Sequence, residues 1–126
     1  PMPFHENAYE AAKVARCSIE QNNYYNVYNK FFDKQSCLNC IGPKTISIEA
    51  GNNLLKLERC LKQKKITLAI NSNISEAKIN NIYGTPSFII IDSKEEKIIG
   101  KMITGVLPWK EFKKTIDSSL NKVMKK

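Results

Sequence analysis

Long apolar runs are missing from this 126-residue chain. No stretch approaches the roughly 20 consecutive apolar residues that a membrane-spanning helix needs, and no charged-then-apolar leader opens the sequence. Arginine is scarce: of 20 basic residues only Arg16 and Arg59 are arginine, the rest being lysine. Without an Arg-rich reading helix or an RNA-binding aromatic motif, the net charge of +8 reads as solvated lysine faces, and no nucleic-acid partner is expected. Histidine occurs once, as His5. It lies just before a helical stretch, where it caps or packs, and no neighbouring nucleophile makes it a catalytic base. Internal repeats and low-complexity tracts are absent, and the length suits one folding unit with a single core.

Cysteine, by contrast, is plentiful for a short chain: Cys17, Cys37, Cys40 and Cys60. An even count permits three pairings, among which spacing does not choose, and an oxidising, extracytoplasmic compartment is favoured. The sequence opens PMPFHENA without an initiator methionine, so Pro1 is expected to be a cut end.

Helical periodicity dominates the first two thirds. From residue 7 to about 21, Ala8, Ala11, Ala12, Ala15 and Ile19 recur at three- and four-residue spacing, which predicts an amphipathic helix with Cys17 off the centre of its stripe. After Asn22-Asn23 a short aromatic helix follows over 24–32, with Tyr24, Tyr25, Tyr28, Phe31 and Phe32 as its expected core face. Residues 33–44, DKQSCLNCIGPK, are polar and carry Gly42-Pro43, so they read as a loop. One or two helical turns at 45–50 end at Gly51 as a C-cap, and Asn52 or Asn53 caps a helix with Leu54, Leu57 and Leu61 on one face and Cys60 beside them. A further helix is expected over 67–82, with Leu68, Ile70, Ile74, Ala77 and Ile82 on one broad side.

The period then changes. FIII at 88–91 and KIIGKMI at 97–103 are strand-like runs joined through DSKEE, a hairpin signal. Pro108 sits at the first turn of a last helix whose Trp109, Phe112, Ile116, Leu120 and Val123 keep helical spacing, with Trp109 expected to pack that helix onto the hairpin. A proline directly before an apolar strand, as in YGTPSFIIID, is unusual, because proline removes a ladder donor. Read alone, Thr85-Pro86 fits a trans bond starting a strand as well as a cis bond.

PFHENAYEAA followed by EQ and an aromatic pair, together with the Gly84, Thr85, Pro86, Phe88 order, resembles the DsbA-like thiol:disulfide oxidoreductases. These are a thioredoxin-fold branch with a helical insertion, and the match runs over most of the chain. The resemblance implies an α+β, thioredoxin-like fold with a helical insertion domain at 1–82, and with a C-terminal β-hairpin and helix of the core at 83–126. It implies that Pro86 is a cis-proline beside a catalytic dithiol and that Thr85 offers backbone groups to an extended substrate. It also implies that Cys17 and Cys60 form a structural disulfide within the insertion.

In such proteins a strand and a Cys-x-x-Cys precede the segment that PMPFH resembles, so the N-terminal core strands and catalytic dithiol are expected to be absent from this chain. An N-terminal piece, or a domain-swapped second copy, is expected to cover FIIID, which is too apolar for an exposed edge. The other Cys-x-x-Cys, Cys37-Leu38-Asn39-Cys40, has the spacing of a redox dithiol, but DKQS before it is not strand-like and IGP after it cannot open a regular helix. A catalytic pair, a loop-tying disulfide and free or metal-bound thiols remain open for it.

The function implied is that of a thiol:disulfide interchange protein of exported, reduced or misfolded substrates, periplasmic or otherwise extracytoplasmic, with a membrane redox partner. This chain alone is expected to lack turnover, and no cofactor or metal is expected. Two alternatives belong to other classes: a peptide-binding thioredoxin-like module without redox chemistry, and a helical protein stabilised by zinc on all four cysteines.

Overall fold

The computed structural model describes residues 1, 5–91 and 100–124, with side chains described up to residue 121 and not at residues 100 and 101. The DSKEE connection, Lys97 to Ile99 of the second strand-like run, the opening PMPF beyond Pro1 and the side chain of Val123 lie outside the described residues. The chain divides into two compact units, Pro1–Asn80 and Asn81–Lys126, where length alone leads to one.

The first unit is helical. Helix α1, Ala8–Ile19, places Glu10 in its first turn and Arg16 in its last, each at the end of the helix dipole that favours its charge. Its buried residues are Val14, Cys17 and Ser18, while Ile19 is 55% exposed. The alanine stripe is therefore not the inward face. Cys17 faces inward because it is joined to Cys60, which brings their Cα atoms to 5.8 Å and fixes the rotation of the helix.

Helix α2, Tyr24–Asp33, buries Val27, with Phe31 packed partly against the same core. The remaining aromatics are not core: Tyr25, Tyr28 and Phe32 are 77%, 43% and 59% exposed. Their rings meet in tilted pairs along the helix, Tyr24 with Tyr28 and Tyr28 with Phe32, at centroid separations of 5.8 and 4.8 Å. A helix of ten residues presents one narrow stripe to its neighbours, and Val27 with Phe31 fills it.

Residues 33–44 are not a loop. A 3₁₀ turn, Gln35–Cys37, runs into a single α-helical turn, α3, Leu38–Ile41. Gly42, at φ +84°, then breaks the chain and Pro43 opens α4, Pro43–Glu49, at its first position. Proline there loses no hydrogen bond and is already set at helical φ, while Gly42 supplies the positive φ.

The Asn53 side chain caps α5, Leu54–Leu61, accepting from the Lys56 amide at 3.0 Å, and Leu57 and Cys60 are its buried residues. Leu54, counted on the same face from the sequence, is 48% exposed. Helix α6, Lys64–Ile79, starts three residues ahead of its expected position and ends before Ile82. It buries Ile66 and Ile70 and leaves Leu68 67% exposed. The core is the cluster Val14, Cys17, Val27, Leu57, Cys60 and Ile66.

Beside this core lies an amide network, buried at Asn52 and Ser18 and half-buried at Asn23. Asn52 donates through Nδ2 to Ser18 Oγ at 2.8 Å and accepts on Oδ1 from Asn23 Nδ2 at 3.0 Å, and Asn23 Nδ2 also donates to the Ala50 carbonyl at 3.0 Å. Ser18 Oγ in turn donates to the Val14 carbonyl at 2.8 Å. The network ties the end of α1 and the turn after it to the turn between α4 and α5, and every buried side-chain polar atom among the described residues has a partner.

The second unit pairs β1, Ser87–Ile91, antiparallel with β2, Gly100–Thr104, in the register Ser87 opposite Thr104 and Ile91 opposite Gly100. The Gly105 amide donates to the Pro86 carbonyl at 2.8 Å and carries the pairing one step past the strands. Helix α7, Trp109–Met124, follows Pro108, whose carbonyl accepts from Glu111 and Phe112. Trp109 is 71% exposed, and Phe112 makes the contact with the hairpin, edge-on to Phe88 at 5.0 Å. Trp109, the first residue of α7, stacks on Phe112 instead. The fold is α+β, with seven α-helices and one two-stranded sheet among the described residues, and no described helix is long and apolar enough to cross a membrane.

Leu57→Ala should cost about 2–5 kcal/mol in urea unfolding, because it empties a fully enclosed site, whereas Leu54→Ala three residues away should cost under about 1 kcal/mol. Equal losses would contradict this placement of α5.

Candidate functional site

The four cysteines form two disulfides in opposite environments. Cys17 and Cys60, 43 residues apart, join α1 to α5 and are 0% and 2% exposed. Cys37 and Cys40, with Cα atoms 4.9 Å apart, span the 3₁₀ turn and α3, and there Cys37 is half-buried and Cys40 exposed. A disulfide yields to exchange only where a thiolate can reach one of its sulfurs. The first bond is shielded by the core around it, and the second lies at the surface.

The chain builds the second site locally. The Cys37 amide donates to the Lys34 carbonyl at 2.9 Å, and the Gly42 amide closes α3 on the Leu38 carbonyl at 3.0 Å. CLNC thus opens a helical turn of its own, while the regular helix begins again at Pro43. A single turn aligns few peptide dipoles, so the thiolate stabilisation that a long helix N-terminus gives is small here. Asn39, between the cysteines, donates through Nδ2 to Glu6 Oε2 at 2.8 Å and accepts on Oδ1 from Asn7 Nδ2 at 3.0 Å. Both ends of its amide are held by the residues that lead into α1. Sequence reading missed these three residues, although Glu6 and Asn7 lie inside the quoted PFHENAYEAA.

Thr85 and Pro86 belong to the second unit. Their peptide bond is cis and both residues are exposed, immediately before β1. Pairing of Pro86 with Gly105 sets Val106 and Leu107 at the same end of the hairpin, 85% and 40% exposed. Neither was singled out from the sequence, and the available signal was two consecutive apolar residues in a connection, where polar residues are usual. His5 is exposed, and its carbonyl accepts from the Ala8 amide at 3.1 Å at the start of α1.

Zinc on the four cysteines does not fit this arrangement. Zinc binds thiolates, and all four sulfurs are taken up in disulfides. Among the described residues no three metal-ligating side chains come together.

Graded reduction followed by alkylation and mass spectrometry should label Cys37 and Cys40 in the folded protein, and Cys17 and Cys60 only under unfolding conditions. Opening the buried pair by Cys17→Ala with Cys60→Ala should cost about 4 kcal/mol in the chain-entropy account of a loop of this length. Simultaneous labelling of all four cysteines would contradict the contrast in access.

No curated protein and no solved structure matches the chain. A family profile described as Thioredoxin matches residues 1–118. With two disulfides, an α+β fold and a match of that extent, the chain belongs to the thioredoxin family.

Proposed function

We propose that this chain takes part in thiol:disulfide exchange of the DsbA type, acting on reduced or misfolded exported proteins in an oxidising, extracytoplasmic compartment, with a membrane redox protein to reset it. The observation that carries the reading is the contrast between the enclosed Cys17–Cys60 bond and the surface Cys37–Cys40 bond on a thioredoxin-family chain. The disulfide that exchange can reach within this chain is Cys37–Cys40, so turnover by the chain itself is proposed in place of the inactivity inferred from its sequence. In the oxidising direction a substrate dithiol becomes a disulfide, and Cys37 and Cys40 take up its two electrons and two protons.

Thr85 and Pro86 are the proposed docking ledge for an extended substrate segment. The exposed Val106 and Leu107 at that end of the hairpin support this, since apolar side chains beside exposed backbone suit strand-like peptide capture. A binding module without redox chemistry would use the same ledge and leave the sulfurs idle.

The two readings separate in a peptide-oxidation assay. Oxidised wild type should convert a fluorogenic dithiol peptide to its disulfide, and Cys37→Ser and Cys40→Ser should each abolish the conversion while still binding the peptide. Undiminished oxidation by the Cys37→Ser, Cys40→Ser double variant would sink the assignment, and binding without oxidation by wild type would establish the module.

A further inference from the structure

We infer that the Cys37–Cys40 bond and the start of α1 are coupled through Asn39: while the pair is oxidised the Asn7 side chain is held on Asn39, and when the pair is reduced Asn7 turns to cap α1. The surface disulfide is in this way a redox-sensitive switch for the first turn of the helix that carries Cys17. The inference goes beyond the exchange reading, since it needs only that the bond opens in the folded chain. Three observations carry it.

The first is an unused cap. Asparagine is among the preferred N-cap residues, and a capping side chain accepts from the amide of the second or third helical residue, here Tyr9 or Glu10. Asn7 stands at the N-cap of α1 and makes no such bond. Its φ of +63° is left-handed, whereas a capping residue is ordinarily extended. Its Nδ2 donates instead to Asn39 Oδ1 at 3.0 Å.

The second is the fixed sense of the Asn39 amide. An ionised carboxylate only accepts, so the 2.8 Å contact with Glu6 Oε2 is made by Nδ2, which leaves Oδ1 for Asn7. Asn39 therefore holds Asn7 only while its own turn stays where both residues meet it.

The third is what holds that turn. Helix α3 has four residues, far below the length at which a helix persists by itself, and Gly42 at φ +84° separates it from α4. The disulfide and the Asn39 tether add to the anchorage that half-buried Leu38 and Ile41 supply. Both favour the same arrangement of residues 37–40, so each favours the other. Opening the bond weakens the tether, and removing the tether favours opening.

The switching step is a thiol exchange that balances. Two glutathione thiols become one disulfide, the Cys37–Cys40 bond becomes two thiols, and two electrons and two protons pass to the pair. Released by Asn39, Asn7 takes up extended backbone and its Oδ1 accepts from the first turn of α1.

The test reads amide exchange with water at Tyr9 and Glu10 by NMR on the full-length chain. The open state is prepared twice: by glutathione under conditions that leave Cys17–Cys60 closed, and as the Cys37→Ser, Cys40→Ser double variant. Exchange at one of the two amides should be about fivefold slower in both open forms, and in oxidised Asn39→Ala, than in oxidised wild type. Adding Asn7→Ala to the double variant should abolish the slowing. In a glutathione buffer that reduces half of the wild-type pair, Asn39→Ala should show an about fivefold higher ratio of reduced to oxidised pair. Unchanged or faster exchange in the open forms, slowing that survives Asn7→Ala, or a redox ratio unmoved in Asn39→Ala overturns the inference, while the exchange reading stands or falls separately on peptide oxidation.

Discussion

The arrangement of the helical unit depends on one covalent crossing, the Cys17–Cys60 bond between α1 and α5. Its sulfurs lie inside the hydrophobic cluster and do not merely staple its rim: two of the six residues of that cluster are the cysteines themselves. A bridge there sets the rotation of α1, because the face carrying Cys17 must be the inner one, and Val14 and Ser18 follow it inward at helical spacing. Ser18 then meets Asn52, and the amide network at the adjoining turns becomes possible. A unit of this size has few large apolar side chains to spend on a core, and crosslinking is a common remedy in small domains.

The same bond type occurs again in this unit, between Cys37 and Cys40. Exchange chemistry belongs to access and neighbours more than to the sulfur–sulfur bond itself. Enclosed by Val14, Val27, Leu57 and Ile66, one disulfide keeps water and thiolates out. Set in a single helical turn between Gly42 and the 3₁₀ segment, the other has one exposed cysteine and a side-chain tether beside it. The accessible pair spans three residues, so its opening releases little chain entropy, while the buried pair closes a loop of 43 residues.

In the hairpin unit the Pro86–Gly105 hydrogen bond does comparable organising work. By carrying the pairing past β1 and β2 it brings the two connecting segments to one end of the sheet. The segment after β2 is apolar and exposed, and the segment before β1 presents Thr85 and Pro86.

The sequence by itself determined most of the elements: the helices around 8–19, 24–33 and 54–61, the Asn53 cap, the strand-like FIII and the amphipathic last helix all follow from period and capping chemistry, which act within a few residues. It also drew attention to Cys37 and Cys40 while leaving their role open, and the resemblance pointed to Thr85 and Pro86 and paired Cys17 with Cys60. Tertiary structure alone decided which stripe of each helix is buried. Cys17 displaced the alanines of α1, Val27 and Phe31 took the inner face of α2 and left its tyrosines outside, and Phe112 rather than Trp109 met the hairpin. Residues 33–44 became helical turns around Gly42-Pro43, and Asn39 found Glu6 and Asn7 more than 30 positions away. Spacing along a chain specifies that an inner face exists; which residues occupy it, and which disulfide lies at the surface, depends on partners that only the folded chain brings near.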